Sequence, residues 1–321
     1  MAAFGGNLLA ISSVQTFAEP DQMEAAHAAA RAEVVPTTRD LAWHVTRVEL
    51  DGVWLVRVKE SGPRLRHVEL EQGRTFLSFL ARPGPDVSVG GMSRLPHSLI
   101  RHTQGQAFYE RTSGPTDWVS LAIPTSEFVA ASSALAGRDL GAPRDPQVVI
   151  PAPGNMANLL CAQTAASDLA EKSPHLLANV EVARALKQSL IATTIACLGD
   201  SDACDEKWVQ QTHNMIMRRF RRVLEEQPNR PIYVPELCAA IGVPERTLRL
   251  CCQEQLGMGP HQYLMRRRMH LARRALLAAV TETTVTEIAT LFGFWHFGRF
   301  SAGYHTIFGE FPSTTLARRS D

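Results

Sequence analysis

Arg246, Arg249 and Gln253 carry the side chains in this chain best suited to reading a ligand, and Leu248 fixes how they are presented. At 100° per residue with Leu248 facing inward, Cys251 and Cys252 also face inward. Arg246, Leu250 and Gln253 then face away, flanked by Thr247 and Arg249. An arginine on such a face can hold guanine O6 and N7 together, and the plain alternative is that both arginines meet phosphate or solvent. A second set lies about fifty residues on. With Phe300 inward, Gly298 and Ala302 face outward, flanked by Arg299, Ser301 and His305. Small outward residues permit close backbone approach but read few bases directly. His296 stands at the start of that helix, where backbone N–H groups already attract phosphate. Trp295 and Phe297 are expected in the core or between lobes, not stacked on bases.

These residues need two helices held alike, and the chain writes the required unit twice. Val234, Leu237, Cys238 and Ile241, followed by Gly242, match Val285, Ile288, Ala289 and Phe292, followed by Gly293. Both sets fall at i, i+3, i+4, i+7, one face of a short helix. Beyond the glycine, one extra residue enters the second copy. Leu248 then matches Phe300, Cys252 matches Tyr304, Leu256-Gly257 matches Phe308-Gly309, and Pro260 matches Pro312. Thr284 with Glu287 three residues on has capping-box spacing, whereas Val234 has no capping side chain. The first helix start is therefore weaker by about 1 kcal/mol. Gly293 should take a left-handed conformation, and Phe294 should plug the gap between helices. Residues 260–279 read as one joining helix. Its consecutive Arg266, Arg267 and Arg268 cannot all face one ligand.

Charge supports a polyanionic ligand. Residues 213–321 hold 15 arginines, no lysine and nine acids, while residues 1–212 hold 18 basic and 23 acidic side chains, so a total near +1 hides two halves of opposite sign. At 321 residues, 45% apolar and 20% charged, the chain has room for two or three globular domains. No apolar run is long enough to span a membrane, and the N-terminus lacks a basic leader. The expected compartment is the cytoplasm, where the six cysteines stay reduced. Cys197 and Cys204, seven apart around Gly199, could act as a redox pair, against the plainer reading that both stay reduced. No metal or cofactor is expected. His44, His67, His97 and His102 lack a metal-site spacing, and no GxSxG, P-loop or GxGxxG occurs, so no catalytic residue is assigned and an enzyme is not expected.

The first 150 residues look extended. Residues 52–58, 75–80 and 117–123 read as strands closed by Gly and Pro turns, which suggests a small barrel or sandwich. A helix is expected over 20–32. Their aromatic residues Trp54, Phe76, Phe79 and Trp118 are either core or the lining of a ligand cavity. After the breaks around Pro143, Pro146, Pro151 and Pro153, residues 155–227 turn helical. Their amphipathic helices either form a dimer interface or cover the strands. A last helix over 208–226 carries Arg218, Arg219, Arg221 and Arg222, and Gln227-Pro228-Asn229-Arg230-Pro231 reads as a hinge.

Residues 228–319 resemble the DNA-binding domain of the AraC/XylS family of bacterial transcription regulators. The segment TVTEIATLFGFWHFGRFSAGYHTIFGEFPSTTL fits the family's order of apolar helix, Gly-Phe turn, recognition helix, aromatic, Gly and Pro. VPELCAAIGVPERTLRLCCQEQLGMGPHQYLMRRRMHLARRAL fits its first lobe and linker helix. The segment Trp295 to Ser301 is similar to a subgroup that includes the ethanolamine-utilisation regulator.

The resemblance implies an α+β chain: a barrel-like, cupin-like sensor over 1–154, a helical dimerisation or linker segment over 155–227, and an all-α double helix-turn-helix domain over 228–321. It implies a sequence-specific regulator, an activator, with a double-stranded DNA operator, a small-molecule effector, RNA polymerase and a second copy of the chain as partners. In this family the linker helix sets two recognition helices in successive major grooves, about 34 Å apart. A constitutive or architectural DNA binder is the alternative, though it has no use for some 200 acidic N-terminal residues.

Overall fold

Asp51 and Gly52 both have positive φ, +46° and +83°, so Leu50 and Val53 close a two-residue hairpin. In chain order the elements are β1 (Ala10–Phe17), α1 (Pro20–Ala25), β2 (Ala30–Pro36), β3 (Trp43–Leu50), β4 (Val53–Glu60), β5 (Arg64–Leu70), β6 (Arg74–Leu80), β7 (Val87–Val89), β8 (Met92–Ser93), β9 (Leu99–Arg101), β10 (Ala107–Thr112), β11 (Thr116–Pro124), α2 (Thr125–Ala136) and β12 (Gln147–Val149). The helices α3 (Pro153–Lys172), α4 (Pro174–Leu177), α5 (Val180–Gly199), α6 (Val209–Glu226), α7 (Val234–Ile241), α8 (Glu245–Leu256), α9 (Pro260–Leu277), α10 (Val285–Leu291), α11 (Phe297–Phe308) and α12 (Pro312–Ala317) follow. The computed structural model describes residues 10–25, 30–37, 41–199, 209–227, 230–280 and 282–318.

The strands form two open antiparallel sheets, ordered β1-β3-β4-β11-β6-β9-β12 and β2-β5-β10-β7-β8. They pack face to face without closing into a barrel. Val68, Val89 and Phe108 of the smaller sheet meet Phe76, Ile100 and Ala122 of the larger. The three strands expected from the sequence are β4, β11 and β6, side by side at the centre of the larger sheet. The helix expected over 20–32 is corrected: it ends at Ala25, and Ala30 onward pairs with β5. Cross-strand pairing there outweighs the helix propensity of its alanines.

The larger sheet's other face, including Leu55, Leu77, Phe79 and Leu121, is covered by Phe128 of α2, Leu159 and Ala166 of α3, and Leu190 and Ile195 of α5. A buried leucine is worth about 2 kcal/mol, so this layer contributes strongly. Of the two roles expected for these helices, their apolar faces serve the cover.

The smaller sheet's outer face packs against the C-terminal half. Val35, Leu65 and Tyr109 share one core with Phe220 of α6, Leu237 and Ile241 of α7, Leu248 and Leu256 of α8, and Tyr263 of α9. The molecule is thus four layers deep: helices, large sheet, small sheet, helices. Among the described residues no helix is long and apolar enough to cross a membrane.

Candidate nucleic-acid interface

The first lobe is α7, a turn, and α8. Tyr233 caps α7 without a side-chain bond, but the Glu236 carboxylate accepts from the Tyr233 N–H at 3.3 Å. That is half a capping box, which compensates in part for the missing cap. Gly242 ends α7 at φ +77°, and α8 begins three residues later. Leu248, Cys251, Cys252 and Leu256 are buried on one side of α8. Arg246, Arg249, Leu250 and Gln253 are exposed on the other, with Thr247 half-buried beside them. Arg249 donates to Glu245 one turn back at 2.9 Å, and Gln253 donates to the Gly257 carbonyl at 3.3 Å.

The second lobe repeats the plan. Thr284 accepts from the Glu287 N–H at 3.2 Å, and Glu287 accepts from the Thr284 N–H at 2.8 Å, a complete capping box. Gly293 has φ +75°, and a β-carbon there would lie 3.2 Å from Pro231, so the turn and the close approach both require glycine. Phe300 and Tyr304 of α11 are buried, and Phe294 packs on Phe300 with ring centroids 4.8 Å apart. His296, Gly298, Arg299 and Ala302 are exposed. Ser301 and His305 are half-buried, and His305 stacks on Phe311 at 4.6 Å.

Trp295 and Phe297 are corrected. They are not core: Trp295 is 68% exposed and Phe297 42%. Phe294 and Phe300 already fill the space between α10 and α11, so the flanking aromatics are left in solvent beside the start of α11.

Helix α9 joins the lobes and sorts its three consecutive arginines. Arg267 is buried and donates to the Leu224 carbonyl at 3.1 Å, so it faces the protein. Arg268 lies 5.6 Å from the ring of Tyr233 in the first lobe and 5.1 Å from that of Phe294 in the second. Further along, Arg273 is gripped by Glu310 at 2.6 Å and by Glu19 of the N-terminal half at 2.8 Å.

Among the described residues, the N-terminal half meets the first lobe on its buried side. Tyr109 of β10 makes edge contacts with Phe220 and Tyr263, at 6.5 and 6.0 Å. Arg221 pairs with Glu33. Gly257, at the end of α8, has φ +71°, and a β-carbon there would lie 2.7 Å from the Arg111 side chain of β10, which would have to move aside. None of these contacts uses the exposed side of α8.

The sequence of this domain has known counterparts. The description of a helix-turn-helix domain family matches residues 237–318. Over 105 residues, 32% of this chain, it is 31% identical to the XylDLEGF operon transcriptional activator 2 of Pseudomonas putida, and the match spans 67% of that protein. The chain belongs to the AraC family of transcriptional regulators. This AraC-family chain is also 39% identical over 102 residues to a probable thc operon regulatory protein of Rhodococcus erythropolis, covering 32% of this chain and about a third (31%) of that one. A solved structure of a probable AraC family transcriptional regulator from Rhodopseudomonas palustris is 33% identical, with 33% of this chain and 98% of that chain covered and a TM-score of 0.30.

In this AraC-family regulator the four aromatic residues considered as a cavity lining divide. Trp54, Phe76 and Trp118 line a cavity between the two sheets. Phe79 does not: it lies three residues from Phe76, so strand alternation turns it to the opposite face, under the covering helices. The cavity's polar wall, Arg66, Glu110, Ser78 and His102, was not anticipated. Cys197 is buried on α5, and burial pushes its thiol up to about 12. Cys204 lies outside the described residues.

Proposed function

We propose that this protein reads a two-box DNA operator with α8 and α11 and activates transcription under the control of a small molecule bound between its sheets. One observation carries the DNA half of the reading. The small sheet docks on the buried side of the first lobe, and Arg246, Arg249, Leu250 and Gln253 of α8 and His296, Gly298, Arg299 and Ala302 of α11 are all in solvent. Arg246 and Arg249 are the base readers. Thr247, Ser301 and His305 flank the contact, and His296 meets phosphate at the start of α11. The pair between Arg249 and Glu245 is exposed and costs little to open.

The relatives' description as transcriptional activators supports activation, and with it contact with RNA polymerase. The protein acts in the cytoplasm as a homodimer, through surfaces other than the apolar faces of α3 and α5. Residues 1–154 sense, 155–227 connect and 228–321 bind DNA. The core shared by β5, β10 and α6–α9 supports signal passage between the first and the last of these.

The test is selection of operators from random duplexes by the full-length protein, followed by binding to selected and scrambled DNA. Two boxes about one helical turn apart, with at least 10³-fold preference over scrambled DNA, are expected. Affinities within tenfold of each other would leave an architectural binder as the better description.

A further inference from the structure

An unbalanced buried charge lies between the sheets, beside the cavity. Five charged side chains cluster there among the described residues, Arg64 and Arg66 of β5, Arg94, Glu60 at the end of β4, and Glu110 of β10, all buried, and of these Arg66 and Glu110 line the cavity itself. Arg64 occupies Glu60 at 2.8 Å and Glu110 at 3.3 Å. Arg66 takes the other oxygen of Glu110, at 2.9 Å from its Nε, and lies 3.9 Å over the Trp118 ring. Thr116 also donates to Glu60, at 2.7 Å. Both acids are therefore engaged by two of the three arginines.

Arg94 is the third. It donates to the Ser78 hydroxyl at 2.7 Å, while its Nε and Nη1 find no acceptor among the described residues. Burial, together with Arg66 and Arg64 and against the pull of Glu110, lowers it to about 10, so it remains a cation at neutral pH. His102 sits on the other side of Ser78 at 2.9 Å, and burial with Arg94 nearby lowers it to about 3, so it adds no charge. A buried cation with unmatched donors is costly, and an anion received beside it would offset that cost.

The walls fix the rest of the ligand. Ser78, Arg66, Glu110 and His102 line the cavity together with Phe76, Phe108 and Trp118, Arg66 lying over the Trp118 ring and His102 stacked on Phe108 at 4.8 Å. The cavity holds about 50 Å3, room for about four waters. The unmatched charge is one, much of the lining is apolar and the space is short. We propose that the cavity binds a small organic monocarboxylate, its charge balancing Arg94 across Ser78 and its short apolar body against Phe76, Phe108 and Trp118. The proposal rests on the reading of this cavity as the effector site.

Titration calorimetry of the full-length protein tests it, with propionate and butyrate as probes and propionamide and butyramide as neutral isosteres. The acids should bind saturably and the amides at least tenfold more weakly. Arg94→Met should cost the acids at least tenfold, leave the amides unchanged, and raise the thermal midpoint of the ligand-free chain. Ser78→Ala gives the same discrimination if Arg94→Met does not fold. Amides that bind as well as acids, or acids indifferent to both substitutions, overturn the proposal. If only neutral probes such as 1-propanol bind, and Trp54→Ala alters that binding, the carboxylate assignment fails while the sensing cavity stands. If no probe gives heat or a thermal shift, both fail.

Discussion

Tyr109 and Glu110 are consecutive on β10 and serve opposite sides of the smaller sheet. Glu110 faces the cavity and holds Arg66 and Arg64, while Tyr109 faces the DNA-binding domain and packs on Tyr263 of the linker helix, 6.0 Å between centroids. The same alternation on β5 puts Arg66 inside and Leu65 outside. One peptide unit therefore separates cavity chemistry from the packing of the first lobe. An effector that shifts Arg66 or Glu110 moves the outer face of the same strands, which is the differential contact that two-state control requires.

Removing the outer contact should loosen that link. Tyr109→Ala deletes a fully packed ring and should destabilise the chain by about 3 kcal/mol. It should also leave DNA affinity insensitive to whatever occupies the cavity. Denaturant unfolding and DNA titration with and without effector read the two effects, and an intact response to effector would show that the signal runs elsewhere.

Arg246→Ala and Arg249→Ala should each weaken binding to the selected operator by about 1–3 kcal/mol and relax its base preference. Equal losses on operator and scrambled DNA would reduce both to phosphate anchors.

Gly293→Val forces a β-branched residue to φ +75° against Pro231. A loss of more than 1 kcal/mol in chemical denaturation is expected. Thr284→Ala should cost about 1 kcal/mol, as the complete capping box of the second lobe is lost. Glu236→Ala should cost less, because only half a box exists in the first. Equal costs for the two caps would contradict the asymmetry.

Stability should fall below neutral pH. Burial, first among the causes, lowers His67, His102 and His270 from 6.5 to about 3. Each stays neutral in the folded chain while the unfolded chain takes up a proton below about 6.5. Stability is thus complete above that pH and declines as pH falls toward 3, by up to about 1.4 kcal/mol per pH unit for each histidine. Unfolding midpoints at pH 7, 6 and 5 measure it, and a flat profile over that range would count against burial of the three rings.

The C-terminal half was legible because each helix there has one apolar face, and Leu248 or Phe300 alone orients its neighbours. Strands β4, β6 and β11 were legible because their apolar residues run nearly unbroken. Strand β5 was not, since its inward positions are Arg64 and Arg66 and its outward ones include Leu65, which reverses the usual relation of polarity to burial. For the same reason the polar wall of the cavity had no signature: nothing in a sequence tells a buried arginine from a solvated one. Phe79 fell to simple parity, being an odd number of positions from Phe76.

Helix α9 gives its first turns, Tyr263 and Leu264, to the core of one lobe and its later turns, Met269, Ala272 and Leu276, to the core of the other. Its 18 residues make a rod about 27 Å long that cannot bend without opening a core at one end. The protein therefore acts as a fixed gauge on its operator. A changed base costs one contact, but a single inserted base pair between the boxes turns the second groove by about 35° and puts it out of phase. Promoters under this regulator should drift in letters and hold their spacing.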